Sequence, residues 1–68
     1  MRLSLKACRV NVNATAKEEA EYVGVCTDTI LSWEKGKTAP RKAHVMMLLD
    51  FFASKGFHVT VNDIRIKP

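Results

Sequence analysis

The residues best suited to bind a ligand are the cations between positions 35 and 42. No acidic residue interrupts them. A local excess of Lys and Arg, in a chain of net charge +4, is typical of a surface that binds a polyanion. A solvated loop followed by a helix start is the alternative interpretation, as for most runs of charge. The cations are Lys35, Lys37, Arg41 and Lys42.

No catalytic or metal-binding constellation can be assembled from the other reactive residues. His44 and His58 are isolated, without acidic or thiol partners at ligand spacing, and we expect both to be structural or surface residues. Cys8 and Cys26 are too few for a disulfide framework or a structural zinc site, so we expect two free thiols in a reducing compartment. The sequence therefore predicts no enzymatic activity, no metal and no cofactor.

Length and composition limit the chain to a single small domain over residues 1–68. Its 68 residues are 47% hydrophobic and 26% charged, which is typical of a globular protein with a modest core. No apolar run approaches the roughly 20 residues of a membrane span, and charges interrupt the first positions too often for a signal peptide. We expect a cytoplasmic protein that does not contact a membrane.

Helical signals begin near the start of the chain. Apolar residues at three- and four-residue spacings predict a short helix from about Ser4 to Asn11. Thr15 followed by Glu18 forms a capping box, which predicts a second helix from about Ala16 to Val23. Gly24 comes directly after it, where a left-handed residue commonly ends a helix.

A third helix is predicted from about Thr27 to Lys35, ended by Gly36. Only a few residues separate it from the second helix, so the two must meet at a steep angle. That geometry is a helix-turn-helix, which we place at residues 15–36.

The C-terminal third, residues 41–66, is the most apolar part. Apolar residues cover nearly the whole circumference of a long helix from about residue 41 to 55. Thr60 and Asp63 then favour capping of a fifth, short helix, although alternating apolar residues at 57, 59 and 61 also fit a strand. A chain this short has little core volume for so many large apolar side chains, so we expect some of them to stay exposed and to form a homodimer surface. The large side chains concerned are Met46, Met47, Phe51 and Phe57.

The order of these signals resembles the Cro/CI-type helix-turn-helix family of phage repressors and related bacterial regulators. The resemblance covers about Leu5–Ile66 and is densest from Thr15 to Pro40. It implies a compact, all-α, five-helix domain like that of lambda repressor. It also implies a transcriptional regulator that binds double-stranded operator DNA as a homodimer, with helix 3 in the major groove. The matching positions are Thr15, Glu18, Ala20, Gly24-Val25, Thr29-Ile30, Trp33-Glu34, Gly36-Lys37 and Pro40.

The resemblance also implies roles for individual residues. An ion pair between Arg9 and Glu34 would join helix 1 to the end of helix 3. Asp28 would either accept a hydrogen bond from cytosine N4 or simply stabilise the helix dipole, and the two roles are compatible. The residues implied to contact base edges are Thr27, Asp28, Thr29 and Ser32. Those implied to contact phosphates are Ala16, through its backbone N–H, and Lys17, Lys35, Lys37, Arg41 and Lys42.

Three positions depart from the family pattern. Ala16 replaces a frequent Gln and loses its side-chain phosphate contact. Glu19 falls at a core position usually held by Leu or Ala, so we expect it to tilt outward or find a partner. Cys26 replaces a capping Ser, so helix 3 would begin less firmly or use Thr27 as its cap. Two alternatives stay open: an antitoxin-type regulator of the same family that also binds a toxin protein, and a protein-interaction module that has lost DNA affinity. Glu19, Ala16 and the acidic recognition helix are the features that favour the module.

Overall fold

A computed structural model describes residues 2–66, which are mostly helical. Four α-helices are joined by short connections, and a short pair of parallel strands brings together the two ends of the described range. The elements in chain order are β1 (Leu3–Ser4), α1 (Leu5–Asn11), α2 (Ala16–Val23), α3 (Thr27–Lys35), α4 (Lys42–Ser54), a 3-10 turn (Val61–Asp63) and β2 (Ile64–Arg65).

The starts of α1 and α2 follow from their capping residues. The Ser4 hydroxyl oxygen accepts a hydrogen bond from the Ala7 N–H at 3.0 Å. Thr15 Oγ1 accepts from the Glu18 N–H at 3.1 Å, and Glu18 Oε1 accepts in return from the Thr15 N–H at 3.2 Å. The predicted capping box is therefore confirmed, and so is the predicted span of α2.

Helix α3 also has its predicted bounds, but its first turn lacks a side-chain cap. Cys26, not Thr27, occupies the N-cap position, with extended backbone angles of φ −75° and ψ 152°. Its thiol accepts no hydrogen bond from the helix, as expected of a weak acceptor. Gly36 ends α3 in the left-handed conformation, with φ 79°.

The last segment differs from the predicted fifth α-helix. Asp63 Oδ2 accepts from the Thr60 N–H at 2.9 Å, so the predicted capping interaction is present. However, the helix it starts is a single 3-10 turn. The chain then becomes extended, because Ile64 and Arg65 pair in parallel with Leu3 and Ser4. The alternative of a strand over residues 57–61 is not observed either.

The core lies where α2 packs against α3 and α4, with α1 closing one side. Trp33 is buried, in agreement with the prediction that it belongs to the core. Phe51 is buried and Phe57 is half-buried, whereas Met46 and Met47 on α4 are exposed over 59% and 38% of their surface. The side chains removed most completely from solvent are Phe52, Ile30, Leu48, Glu19 and Cys8.

Candidate nucleic-acid interface

The structural basis of the candidate interface is the pair of helices α2 and α3. Gly24 makes the turn between them in the left-handed conformation, with φ 86°. The N–H groups of Gly24 and Val25 donate to the Ala20 carbonyl at 2.8 and 3.0 Å, which closes the end of α2. Ala20 and Ile30 are both almost completely buried, so the two helices are fixed to each other by packing.

One face of α3 remains accessible to solvent. Asp28, Ser32 and Lys35 follow one another at four- and three-residue spacings, so they share a side of the helix. Asp28 and Lys35 are exposed, and Ser32 is half-buried. Thr27 and Thr29, the other expected base-contacting residues, are also half-buried. The accessible first turns therefore present small polar groups and one carboxylate.

The expected phosphate-contacting cations all lie on the surface. Within residues 2–66, none of them takes part in an ion pair, so their charge is not neutralised inside the chain. Ala16 is half-buried at the first position of α2, where backbone N–H groups have no partner within the helix. The exposed cations are Lys17, Lys35, Lys37, Arg41 and Lys42.

Arg9 connects α1 to the end of α3. Its Nε and Nη2 donate to Glu34 Oε2 and Oε1 at 2.7 and 3.1 Å, which is the ion pair implied by the resemblance. Its Nη1 donates to the Ala14 carbonyl at 3.1 Å. Hydrogen bonding to Glu34 raises the pKa of the Arg9 guanidinium, against the opposing effect of burial. The position of α3 relative to α1 is therefore set by a two-point, charge-assisted contact.

Glu19 does not tilt outward, so that part of the expectation is wrong. Its side chain is only 1% exposed, and Oε2 has no hydrogen-bond partner among residues 2–66. The nearest cation is Arg9, whose Nε lies 3.9 Å from Oε2 but already donates to Glu34. Burial, followed by repulsion from Glu34, raises the pKa of Glu19 from 4.5 to about 7, against attraction by Arg9.

The sequence marks Glu19 as unusual because it lies on the core face of α2, but it does not indicate what state the side chain adopts. Whether it would rotate out, pair or remain buried without a partner depends on the other helices. Glu19 also affects a residue of α1: burial, and then repulsion by the carboxylate of Glu19, raise the pKa of the Cys8 thiol.

The remaining features of residues 2–66 that could carry chemistry are a cavity, the two cysteines and a histidine–tryptophan contact. A shallow cavity of about 220 Å³ lies between the start of α1 and the end of α3, lined in part by Lys6, Trp33 and Arg65. Cys8 is buried and Cys26 exposed, and neither is in a disulfide. The His44 ring packs against Trp33 with 5.2 Å between centroids. No cluster suited to a metal ion occurs among residues 2–66.

Comparison with family models, curated proteins and solved structures found no match to this chain. None of the helices within residues 2–66 has the length and apolar character that crossing a membrane requires. Any functional assignment therefore depends on the geometry and charge of the chain itself.

Proposed function

We propose that the protein is a sequence-specific, double-stranded DNA-binding transcriptional regulator of the Cro/CI type. One observation carries the proposal: an accessible, small-residue face on α3 lies directly before a group of exposed cations that no internal acid neutralises. DNA recognition needs contacts to base edges and contacts to phosphates. The polar face of the helix suits the base edges, and the basic segment that follows suits the phosphates.

In this mechanism α3 enters the major groove, which is wide enough for one α-helix. Asp28 and Ser32 then face base edges, with Thr27 and Thr29 beside them. Lys35 and the cations of the α3–α4 connection contact the phosphates that flank the groove. The N–H groups at the start of α2, near Ala16 and Lys17, are oriented to bind a further phosphate, as helix N-termini commonly do.

The carboxylate of Asp28 is compatible with this role. It lies in the first turn of α3, where the helix dipole stabilises a negative charge by about 0.3 to 1 kcal/mol. A carboxylate within the groove can accept a hydrogen bond from cytosine N4, whereas beside the phosphates it would be repelled. We therefore propose that the protein favours cytosine at one contacted position.

We further propose that two copies bind a two-fold symmetric operator. A dimer would place its recognition helices in successive major grooves, about 34 Å apart. The exposed methionines of α4, Met46 and Met47, supply apolar area for the contact between copies. A selection of binding sites from random DNA, followed by sequencing, would test both points. Recovery of no enriched sequence would refute specific recognition, and enriched sites without two-fold symmetry would refute the dimer.

The salt dependence of binding tests the phosphate contacts. The logarithm of the affinity should fall by about 0.9 per logarithmic unit of salt for each phosphate contacted. Lys37→Ala should weaken binding to all sequences alike and reduce this slope by about one contact. Lys6→Ala, which removes the same charge from α1, is the matched control and should leave the slope unchanged. Equal slopes for all three proteins would contradict the assignment of Lys37.

Asp28→Ala tests base recognition in the same binding assay. It should relax the preference at one base-pair position, by about 1 to 3 kcal/mol of discrimination, without reducing the salt slope. The affinities of wild type and Asp28→Ala should be compared across a set of operators that differ at single base-pair positions. An unchanged preference at every position would restrict Asp28 to stabilising the start of α3.

The exposed methionines also favour a second candidate function, because apolar surface on α4 suits a protein partner. In this alternative the chain is a protein-interaction module of the same type, or an antitoxin-type regulator that binds a toxin protein. The module would give no salt-dependent complex with any DNA in the selection. The antitoxin-type regulator would bind DNA and also bind its protein partner through α4.

A further inference from the structure

Three charged side chains from three different helices meet inside the protein. Arg9 comes from α1, Glu19 from α2 and Glu34 from α3. Two carboxylates thus share a single guanidinium, and both hydrogen bonds to carboxylate oxygens go to Glu34. Glu19 is left with a buried oxygen that accepts no hydrogen bond from residues 2–66, and its ionised form gives the three side chains a net negative charge away from water.

Within residues 2–66, Arg9 is the cation that lies within ion-pair distance of Glu19. Besides Arg9, the titratable group that α1 brings near it is the Cys8 thiol, and α3 brings Glu34. Helix α4 also packs against α2, but the ammonium of Lys55, just after α4, lies 4.0 Å from Glu18 on the exposed side. The other titratable groups of α4 form no ion pair with Glu19; they are Lys42, His44 and Asp50.

We infer that Glu19 is a proton-operated switch: its protonated form holds α2 against α1 and α3, and loss of the proton loosens α2 and lowers DNA affinity. The effect on DNA rests on the function proposed above, whereas the loosening of α2 does not. The two are linked because α2 carries the phosphate-binding N-terminus and fixes the position of α3.

The direction of the switch follows from the environment of Glu19. Its pKa of about 7 means that the closed packing is favoured below neutral pH, where the carboxyl group is neutral. Above neutral pH, the charged carboxylate gains hydration whenever α2 moves outward, so the population of loosened chains rises. Because one proton is involved, the ratio of loosened to closed chains can rise by at most about tenfold per pH unit.

Hydrogen exchange measured by NMR on the full chain at pH 6 to 8 tests the loosening directly. Protection factors, which remove the intrinsic pH dependence of exchange, should fall by at least about threefold in α2 between pH 6 and pH 8, and at pH 8 they should be lower in α2 than at Leu48 and Phe52 of α4. Glu19→Gln, which resembles the neutral form, should show no such fall in α2 protection with pH. Glu21→Gln removes the same charge from an exposed position of α2 and should behave like the wild type.

Affinity for the selected operator, measured at constant salt over the same pH range, tests the coupling to DNA. Wild type and Glu21→Gln should bind at least about threefold more weakly at pH 8 than at pH 6, and Glu19→Gln should change less. Protection in α2 that stays constant from pH 6 to 8, or that equals the protection of Leu48 and Phe52 at pH 8, would overturn the switch, and pH-independent affinity beside a loosened α2 would overturn the coupling. If no DNA bound at any pH, the proposed function would fail, and the exchange data alone would decide whether Glu19 moves α2.

Discussion

The buried carboxylate of Glu19 should destabilise the fold at neutral and alkaline pH, and Glu19→Gln should remove that cost. The pKa of Glu19 is raised from its usual 4.5 to about 7 by folding. Between these pH values the folded chain retains a proton that the unfolded chain has released. The free energy of unfolding should therefore fall as the pH rises from about 4.5 to about 7, and this contribution should level off above that.

The magnitude follows from the pKa difference. Each unit of pKa corresponds to about 1.4 kcal/mol, so full ionisation of Glu19 removes on the order of 3 kcal/mol of stability. Between pH 5 and pH 8 the linkage relation gives a wild-type loss of roughly 2 to 3 kcal/mol that Glu19→Gln should not show. In a domain of this size, that difference corresponds to roughly 10 to 20 °C in Tm.

Urea denaturation followed by fluorescence of the single, buried tryptophan, Trp33, measures the effect. Every other titrating group is shared by the two proteins, so the pH dependence of their difference in free energy of unfolding isolates Glu19. A packing cost of the buried amide would appear as a constant offset already present at pH 5. The control Glu21→Gln should keep the wild-type pH dependence. A change in the difference of less than about 1 kcal/mol over this range would refute the reasoning.

Two further substitutions test neighbouring features by the same denaturation assay. Arg9→Met should lower the free energy of unfolding by about 3 to 5 kcal/mol at pH 7.5, because two buried carboxylates lose the cation that they share. The loss in free energy of unfolding should be smaller at pH 5, where Glu19 is neutral. An equal loss at both pH values would show that Glu19 and Glu34 do not share Arg9 as their cation. Cys26→Ser should raise the free energy of unfolding by about 0.5 to 1 kcal/mol, because a hydroxyl oxygen can accept from the Thr29 N–H. An unchanged amide chemical shift at Thr29 together with no gain in stability would show that the cap does not form.

The helical part of the fold could be predicted from the sequence because its boundaries are local. The bounds of α2 and α3 depend on residues such as Thr15, Gly24 and Gly36, whose conformational preferences act within one helical turn. The end of the chain could not be predicted in the same way. Thr60 and Asp63 start a turn as their types suggest, but the partner of Ile64 is a strand at the opposite end of the sequence.

The candidate site could likewise be predicted only in part from the sequence. The exposure of Asp28 and of the basic segment follows from amphipathic spacing, which is readable in the sequence. The state of Glu19 does not, because it depends on how one guanidinium from α1 divides its hydrogen bonds between carboxylates on two other helices. Glu34 takes both of them, and no local pattern in α2 indicates that outcome.

The parallel pairing of β1 with β2 has a consequence for the order of folding. Leu3 and Ile64 are about 60 residues apart in sequence, so their pairing closes a loop around almost the whole described chain and requires the largest loss of chain entropy. The α2–α3 contacts close a far shorter loop. The strand pair is therefore expected to form late, after the helices have assembled, and to open first when the protein is stretched between these two residues.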